Sequence, residues 1–300
     1  MPGSSAPQSR PRRSVLYVPG SNARALEKAA RLPADTLILD LEDAVLPAAK
    51  AAARAAVLTA VNARRFGYRE VVIRINGLAT EWGRADLAAA AASGADGILL
   101  SKVDTVHDVL EAADLLDKSA TPHGLRLWSM AETPRGVLDI DAIARCTPRL
   151  AVIVMGTADL GTALRIREQA NREGLIPALA RCVLAARAAG VDILDGVFTR
   201  LTDAPAFRLE CMQGRHLGFD GKTLIHPGQI DASNEIFGVS AAEAAAAAEL
   251  IAAWESAAAG GAGVAVLAGR LVERLHVDEA QRLLTLYRII RDRATSADQA

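Results

Sequence analysis

The chain has 300 residues, 51% of them hydrophobic, and a formal net charge of −1 at pH 7. This length allows one large domain or two small ones, and the hydrophobic fraction supplies a full core. A nearly neutral chain gives no reason to expect nucleic acid or an anionic membrane as a partner. We also find no apolar stretch of the roughly 20 residues that a membrane-spanning helix needs.

The first twelve residues are rich in Ser, Pro and Arg and lack the apolar centre of a secretory signal, so we expect a disordered tail over residues 1–12. The cysteines Cys146, Cys182 and Cys211 are odd in number and have no CxxC spacing. Both observations fit a reducing compartment, and we predict a cytoplasmic protein whose cysteines act as small hydrophobic residues.

Short runs rich in Val, Ile and Leu recur along the chain, and helical stretches separate them. The runs are continuously apolar, which is typical of strands covered on both faces of a parallel sheet. The predicted strands are Ser14–Val18, Thr36–Leu41, Glu70–Ile75, Gly97–Leu100, Leu125–Met130, Ala151–Met155, Ile193–Val197 and, more weakly, Gly221–Ile225. The predicted helices between them are Asn22–Arg31, Ala48–Arg64, Ala85–Ser93, Val106–Leu116 and Pro177–Ala189.

About eight strand-and-helix units precede residue 235, which predicts an α/β fold of the (β/α)8 TIM-barrel type over residues 13–235. Its active site would lie at the C-terminal ends of the strands. A doubly wound open sheet is the alternative, but it predicts a GxGxxG turn after the first strand. That strand instead ends in Pro19-Gly20-Ser21-Asn22, where Ser21 or Asn22 would cap the next helix.

Residues 236–300 form a different region, for which we predict a C-terminal helical extension. Ser240, with Glu243 three residues later, has the spacing of a capping box at the start of a helix. Val264–Leu267 is predicted as a short strand and Asp278–Arg293 as the last helix. Such an extension either contacts a neighbouring subunit or packs on its own barrel, and the pattern alone does not favour one.

Carboxylates follow several of the predicted strands. Glu42 and Asp43 come after the second strand, Glu132 after the fifth and Asp159 after the sixth. Mg²⁺ prefers oxygen ligands, usually one or two carboxylates together with water and substrate. We predict that Glu132 and Asp159 hold Mg²⁺ and that Glu42 and Asp43 orient the groups around it. In the alternative interpretation, each acid caps a helix or pairs with an arginine such as Arg135.

Two further groups are candidates for the same site at the strand ends. Arg74 lies inside the apolar third strand, where its charge requires a ligand or a partner acid. It either binds a substrate carboxylate or forms an ion pair with Glu42 or Asp43, and Lys102 is a weaker candidate of the same kind. The turn Gly156–Gly161 consists of small residues that either present amide groups to a carboxylate or serve packing.

Six stretches match one known family in the same order along the chain: Arg13–Ser21, Leu39–Val45, Val72–Asn76, Ala131–Gly136, Met155–Leu160 and Gly218–Pro227. The chain resembles the citrate lyase β-subunit-like branch of the HpcH/HpaI aldolase and citrate lyase superfamily. The resemblance implies a Mg²⁺-dependent carbon–carbon lyase on a TIM barrel. Its substrate would be a β-hydroxyacyl thioester of coenzyme A, of the citramalyl-CoA or malyl-CoA type. The products would be an acyl-CoA and a 2-oxo acid such as pyruvate or glyoxylate.

The resemblance also assigns residues. Glu132 and Asp159 would bind Mg²⁺, and Arg74 would contact the oxo acid. The backbone of Gly156, Thr157 and Ala158 would receive the carboxylate of the oxo acid, while Arg13 and Lys28 would meet coenzyme A phosphates.

The same family has a C-terminal segment that delivers an acid to the active site of a neighbouring subunit. Its pattern is Gly-Lys-Met-Val-Asp followed by Pro, whereas this chain has Glu273 in place of the Asp and lacks the Pro. The resemblance therefore implies a homo-oligomer, a trimer or hexamer, with Glu273 as the candidate acid.

Two other functions stay open. The same site would also suit hydrolysis of a malyl-CoA thioester in the manner of a thioesterase or malate synthase, and release of free coenzyme A would distinguish that outcome. The chain could instead be a non-catalytic binding or assembly subunit.

Overall fold

The computed structural model describes residues 10–119, 124–167, 171–261 and 263–297. The chain divides into two compact units. One spans residues 12–237, and the other contains the described residues from 238 to 297 together with Arg10 and Pro11.

The unit of residues 12–237 contains a closed barrel of eight parallel strands. Each strand pairs with the next in sequence order, and β8 pairs with β1. The strands are β1 Ser14–Pro19, β2 Thr36–Asp40, β3 Glu70–Ile75, β4 Gly97–Leu100, β5 Arg126–Ala131, β6 Leu150–Met155, β7 Asp192–Asp195 and β8 Gly221–Leu224. The predicted TIM barrel is therefore confirmed.

Helices follow the strands and surround the barrel. They are α1 Ala23–Ala29, α2 Lys50–Asn62, α3 Gly83–Ala91, α4 Val106–Lys118, α5 Pro134–Arg145, α6 Thr157–Ala163, α7 Ile176–Ala189, α8 Ala204–Leu217 and α9 Ile230–Ile236. Of the two predicted caps, Asn22 is the one that caps α1, since its side chain accepts a hydrogen bond of 3.0 Å from the Ala25 amide.

Apolar side chains cover both faces of the barrel strands. In β2, Ile38 belongs to the cluster inside the barrel, while Leu37 and Leu39 belong to the layer beneath the helices. This two-sided burial explains why the strands read as unbroken apolar runs.

Arg12 closes the N-terminal end of the barrel. Its guanidinium donates hydrogen bonds of 2.7 Å to both Glu70 oxygens, pairs with Asp192 and lies 5.2 Å from the Trp128 ring centre. The predicted disordered tail is thus wrong at Arg12, because two carboxylates at the strand starts bind this residue. Residues 1–9 lie outside the described part of the chain.

The second unit contains two helices and a hairpin: α10 Ala241–Ala259, β9 Ala265–Leu267, β10 Arg270–Val272 and α11 Arg274–Ala297. The capping box of Ser240 and Glu243 is present. β10 was not predicted, and α11 begins four residues before the predicted Asp278. Ala265, Val272 and Val277 form a small core with partly buried side chains of α10 such as Trp254.

One stretch of the described residues is long and apolar enough for a membrane-spanning helix, by length and composition alone. It is Pro227–Ala259, within which a window of 18 residues has a mean hydropathy of 1.5. This corrects our expectation that no such stretch exists, and much of the apolarity comes from the alanines of α10. The stretch is interrupted, since α9 ends at Ile236 and α10 begins at Ala241.

Candidate active site

Charged side chains from five consecutive strands meet at the C-terminal end of the barrel. Glu42 follows β2, Arg74 lies in β3, Lys102 follows β4, Glu132 follows β5, and Asp159 lies in the first turn of α6 after β6. In a TIM barrel this end carries the active site. The structure thus brings together the acids that the sequence placed at strand ends.

Lys102 lies at the centre of three of these acids. Its Nζ donates a hydrogen bond to Asp159 and lies 3.9 Å from an oxygen of Glu42 and 3.9 Å from an oxygen of Glu132. Although burial lowers it, the pKa of Lys102 is raised by the Asp159 hydrogen bond and by the charges of Glu132 and Glu42. The ammonium therefore stays charged among the carboxylates.

Two main-chain features hold Glu132 in place. The Lys102 amide donates a hydrogen bond of 2.6 Å to Glu132 Oε1, and Lys102 itself has a left-handed φ of +52°. A side chain at Gly156 would place its Cβ 2.2 Å from the Glu132 Cβ, so only glycine fits there. Glu132 is 2% exposed, and this burial raises the pKa of its carboxyl.

Arg135 does not pair with the proposed metal ligands. Its nearest acid partner in the described structure is Asp139, one helical turn away in α5, at 3.5 Å. The alternative interpretation, in which Arg135 neutralises Glu132 or Asp159, is therefore wrong.

Arg74 is gripped by acids of the β2 end. It donates hydrogen bonds of 2.7 and 2.6 Å to the two oxygens of Asp40, and its NH1 lies 3.0 Å from Glu42 and 3.7 Å from Asp43. Its guanidinium carbon also lies 4.8 Å from the Tyr17 ring centre. The predicted ion pair with Glu42 and Asp43 is present. Sequence reasoning missed Asp40, although an acid inside an apolar strand was the signal for it.

Glu42 has a pKa near neutral. Burial is the main cause that raises the pKa of its carboxyl to about 7, where the lowering by Arg74 and the raising by the charges of Asp43 and Glu132 are included. A carboxyl with such a pKa can both accept and release a proton at neutral pH. Asp43 is more exposed, at 61% of its side chain.

Lys50 supports the loop that carries Glu42. Its buried ammonium donates hydrogen bonds to the carbonyl oxygens of Leu41 at 2.9 Å and Glu42 at 2.7 Å, and to the Asn76 side chain at 2.7 Å. Sequence reasoning missed this residue. A lysine at the start of α2 opposes the helix dipole, and that unfavourable position was the available signal.

A cleft of about 540 Å³ opens from the cluster toward β3 and β4. This volume suits a small-molecule site. Its lining includes Glu42, Asn76, Ser101, Lys102, Asp108 and Glu111. The cluster is therefore accessible to a ligand from this side.

The turn before α6 offers fewer amides than predicted. The Gly156 amide donates a hydrogen bond of 3.0 Å to the Ala131 carbonyl, so it is not available to a substrate carboxylate. Thr157 and Ala158 begin α6, and the first amides of a helix have no partner within the helix. The predicted carboxylate site is thus reduced to the first turn of α6.

Arg13 and Lys28 are not brought to this cluster. Arg13 precedes β1 at the opposite end of the barrel, where its guanidinium donates hydrogen bonds of 2.8 and 2.9 Å to Asp35. Lys28 is exposed in the last turn of α1, which leads back toward that end. Their placement gives no support to the predicted contact with coenzyme A.

Glu273 belongs to the second unit and lies between β10 and α11. It is exposed, and its backbone amide donates a hydrogen bond of 3.0 Å to Nδ1 of His276. The backbone at Glu273 is therefore held by a hydrogen bond within its own unit.

The carboxylate cluster suits a hard divalent cation. Among the described residues no group of three or more His, Cys, Asp or Glu side chains has the arrangement of a metal site. Glu132 and Asp159 nevertheless direct oxygens toward one positive charge, the Lys102 ammonium. Two carboxylates with water and substrate form an ordinary Mg²⁺ site, so the donor set fits this ion.

Comparison with known proteins agrees with this architecture. Residues 13–227 match the family HpcH/HpaI aldolase/citrate lyase. The chain belongs to this family.

Two relatives are similar to this chain over nearly their whole length. The chain is 48% identical to a (3S)-malyl-CoA thioesterase of Cereibacter sphaeroides, over 93% of this chain and 95% of that protein. It is 35% identical to the citrate lyase subunit beta of Escherichia coli, over 93% of this chain and 94% of that one.

A solved structure shares the fold. The protein CitE from Mycobacterium tuberculosis, in complex with magnesium, acetoacetate and coenzyme A, is 27% identical with a TM-score of 0.73. The match covers 91% of this chain and 97% of that one. Magnesium and coenzyme A thus occur together in this related structure, and the two relatives named above are a thioesterase and a subunit of a lyase.

Proposed function

We propose that this protein is a Mg²⁺-dependent enzyme that hydrolyses a malyl-CoA-type thioester to the free hydroxy acid and coenzyme A. The main support is the cluster of Glu42, Lys102, Glu132 and Asp159 in a chain 48% identical to a (3S)-malyl-CoA thioesterase. This reverses the order of the two enzyme functions favoured by the sequence, because the resemblance alone placed the lyase first.

Glu132 and Asp159 would hold the ion, which supplies Lewis-acid activation of a substrate oxygen when bound. Glu42 accepts the proton of the attacking water, since its pKa of about 7 lets it work as a base at neutral pH. The water oxygen bonds to the thioester carbon, the carbon–sulfur bond breaks, and the leaving coenzyme A thiolate takes up the proton that Glu42 accepted.

Carbon–carbon cleavage at the same site is the second candidate. It is favoured by the 35% identity to a citrate lyase subunit beta across 93% of this chain. Here Glu42 removes the proton of the β-hydroxyl group, and the carbon–carbon bond breaks to give a 2-oxo acid that contacts Arg74. The enolate of the acyl-CoA is then protonated at carbon, for which Glu273 of a neighbouring copy is the proposed acid.

The proposal includes a homo-oligomer, a trimer or hexamer, in the cytoplasm. The assembly would bring Glu273 of one copy to the active site of another. Glu273 is exposed, and its backbone amide donates a hydrogen bond to His276. A non-catalytic subunit is less well supported, since Glu42, Glu132, Asp159 and Arg74 all lie at the C-terminal end of the barrel.

The products distinguish these functions. The purified protein is incubated with (3S)-malyl-CoA, with Mg²⁺ or with EDTA, and free thiol, acetyl-CoA and glyoxylate are measured. We expect Mg²⁺-dependent release of free coenzyme A and malate in equal amounts. Acetyl-CoA and glyoxylate without free thiol would show the lyase instead, and no product from any of several hydroxyacyl thioesters would refute both.

A further inference from the structure

We propose that the Lys102 side chain sets the metal affinity of the site by competing with the divalent cation for Glu132 and Asp159. The inference rests on the proposed function, because it takes these two acids as the metal ligands. Lys102 is then a positioning residue whose ammonium must leave the acids before the cation binds.

The competition follows from the position of the ammonium. Nζ of Lys102 pairs with Asp159 and lies 3.9 Å from Glu132 Oε2, so both proposed ligands already share one positive charge. A divalent ion held by the same two carboxylates would lie within a few ångströms of that charge. At such distances, in a partly buried site, like charges repel strongly.

The side chain of Lys102 has room to move, whereas its backbone is fixed. The amide is held by its hydrogen bond of 2.6 Å to Glu132 Oε1. The side chain is 46% exposed and lines the cleft of about 540 Å³, which Asp108 and Glu111 also line. An ammonium displaced by the ion can therefore turn into the cleft while the backbone continues to orient Glu132.

The same residue would thus affect the ion in two opposite ways. Its amide group prepares Glu132 for the ion, and its ammonium opposes the ion. Replacement of the side chain removes only the second effect, because any residue at position 102 except proline keeps the amide.

The test measures binding of Mg²⁺ alone by isothermal titration calorimetry, with Mn²⁺ as a second ion, to the full-length protein without substrate. Lys102→Met removes the charge at similar length, and Lys102→Arg keeps it. Lys118→Met serves as the matched control, since Lys118 pairs with Asp114 on the exposed face of α4. We expect Lys102→Met to bind Mg²⁺ on the order of tenfold more tightly, and the other two variants to bind it like the wild type.

Thermal unfolding gives an independent readout. Without Mg²⁺, Lys102→Met should melt at a lower temperature than the wild type because its carboxylates lack a counter-charge. Saturating Mg²⁺ should raise its melting temperature by more than that of the wild type, because tighter binding to the folded state adds more stability.

Unchanged or weaker Mg²⁺ binding by Lys102→Met would overturn the inference. Glu132→Gln separates this failure from a failure of the proposed function. If Glu132→Gln binds Mg²⁺ as the wild type does, the metal assignment itself is wrong. If Glu132→Gln loses binding while Lys102→Met gains none, only the competition is wrong.

Discussion

The two ends of the barrel use charge in different ways. At the N-terminal end, Arg12 is bound by Glu70 and Asp192, and Arg13 by Asp35, through defined hydrogen bonds. At the C-terminal end, Arg74 and Lys102 are each shared among three acids, and burial raises the pKa of Glu42 and Glu132 there as it raises that of Asp192 at the other end. The first arrangement joins strands to each other. The second holds carboxylates close together, and a bound cation would offset their mutual repulsion. The contrast suggests that stability and chemistry are assigned to opposite ends.

The strongest test of this contrast is the loss of a proposed metal ligand. Glu132→Gln keeps the size of the side chain but removes its charge. We expect turnover to fall by at least roughly a thousandfold, since a bound metal ion contributes several kcal/mol to the barrier. Steady-state kinetics measure this loss, and circular dichroism should show an intact fold. Asp114→Asn on the surface of α4 is the control and should leave turnover unchanged.

A change at the N-terminal end of the barrel should lower stability and leave turnover nearly unchanged. Arg12→Met removes the cation that pairs with buried Glu70, and breaking such a pair costs about 3 kcal/mol, the low end of the usual range because Asp192 is partly exposed. Urea unfolding measures this loss, while turnover per folded molecule should stay close to the wild type at low temperature. Adding Glu70→Gln should restore part of the stability. A large loss of turnover would contradict the division between the two ends.

The proposed acid of the second unit gives a third test. In carbon–carbon cleavage, Glu273→Gln should lower turnover about a hundredfold, the usual effect of a lost general acid, and Glu273→Asp should retain more activity, whereas thioester hydrolysis should be little affected. If Glu273 acts on a neighbouring copy, co-assembly of Glu273→Gln with Glu132→Gln subunits should restore activity, because some sites then contain both intact residues. Two inactive variants that stay inactive when mixed would place the acid within its own chain or remove its role.

The smallest expected effect concerns the loop support at the C-terminal end. Lys50→Met removes the side-chain donor for the Glu42 carbonyl and one of the two for the Leu41 carbonyl, and an unsatisfied buried group costs about 1–3 kcal/mol. Unlike Arg12→Met, this change should also lower turnover, because Glu42 loses its fixed position. Parallel measurements of urea unfolding and turnover would show both effects, and an unchanged turnover would mean that the loop holds Glu42 without Lys50.

Much of the barrel was predictable from the sequence because local pattern determines it. β3 and β4 were predicted to the residue, since β4 is wholly apolar and Arg74 is the only polar residue of β3 after Glu70. The first residues of α6 were predicted as a turn, because only Leu160 among its seven residues is large and apolar, which leaves no helical period.

The site was predictable only in part. Parallel strands end on the same side of the barrel, so acids at strand ends predict a shared site. Glu132 and Asp159 do lie together at that end. The partners of Arg12 and Lys50 depend on contacts between residues far apart in the chain, such as Arg12 with Asp192. No local pattern encodes those contacts.

The ion pairs of Arg12 at the N-terminal end of the barrel affect where this domain should be taken to begin. The family match starts at residue 13, so a fragment cut by sequence similarity would omit the side chain that ties β3 to β7 beneath Trp128. Such a fragment would retain Glu42, Arg74, Lys102, Glu132 and Asp159 but lose the ion pairs of Arg12 with Glu70 and Asp192. A stable form of the barrel should therefore include Arg12.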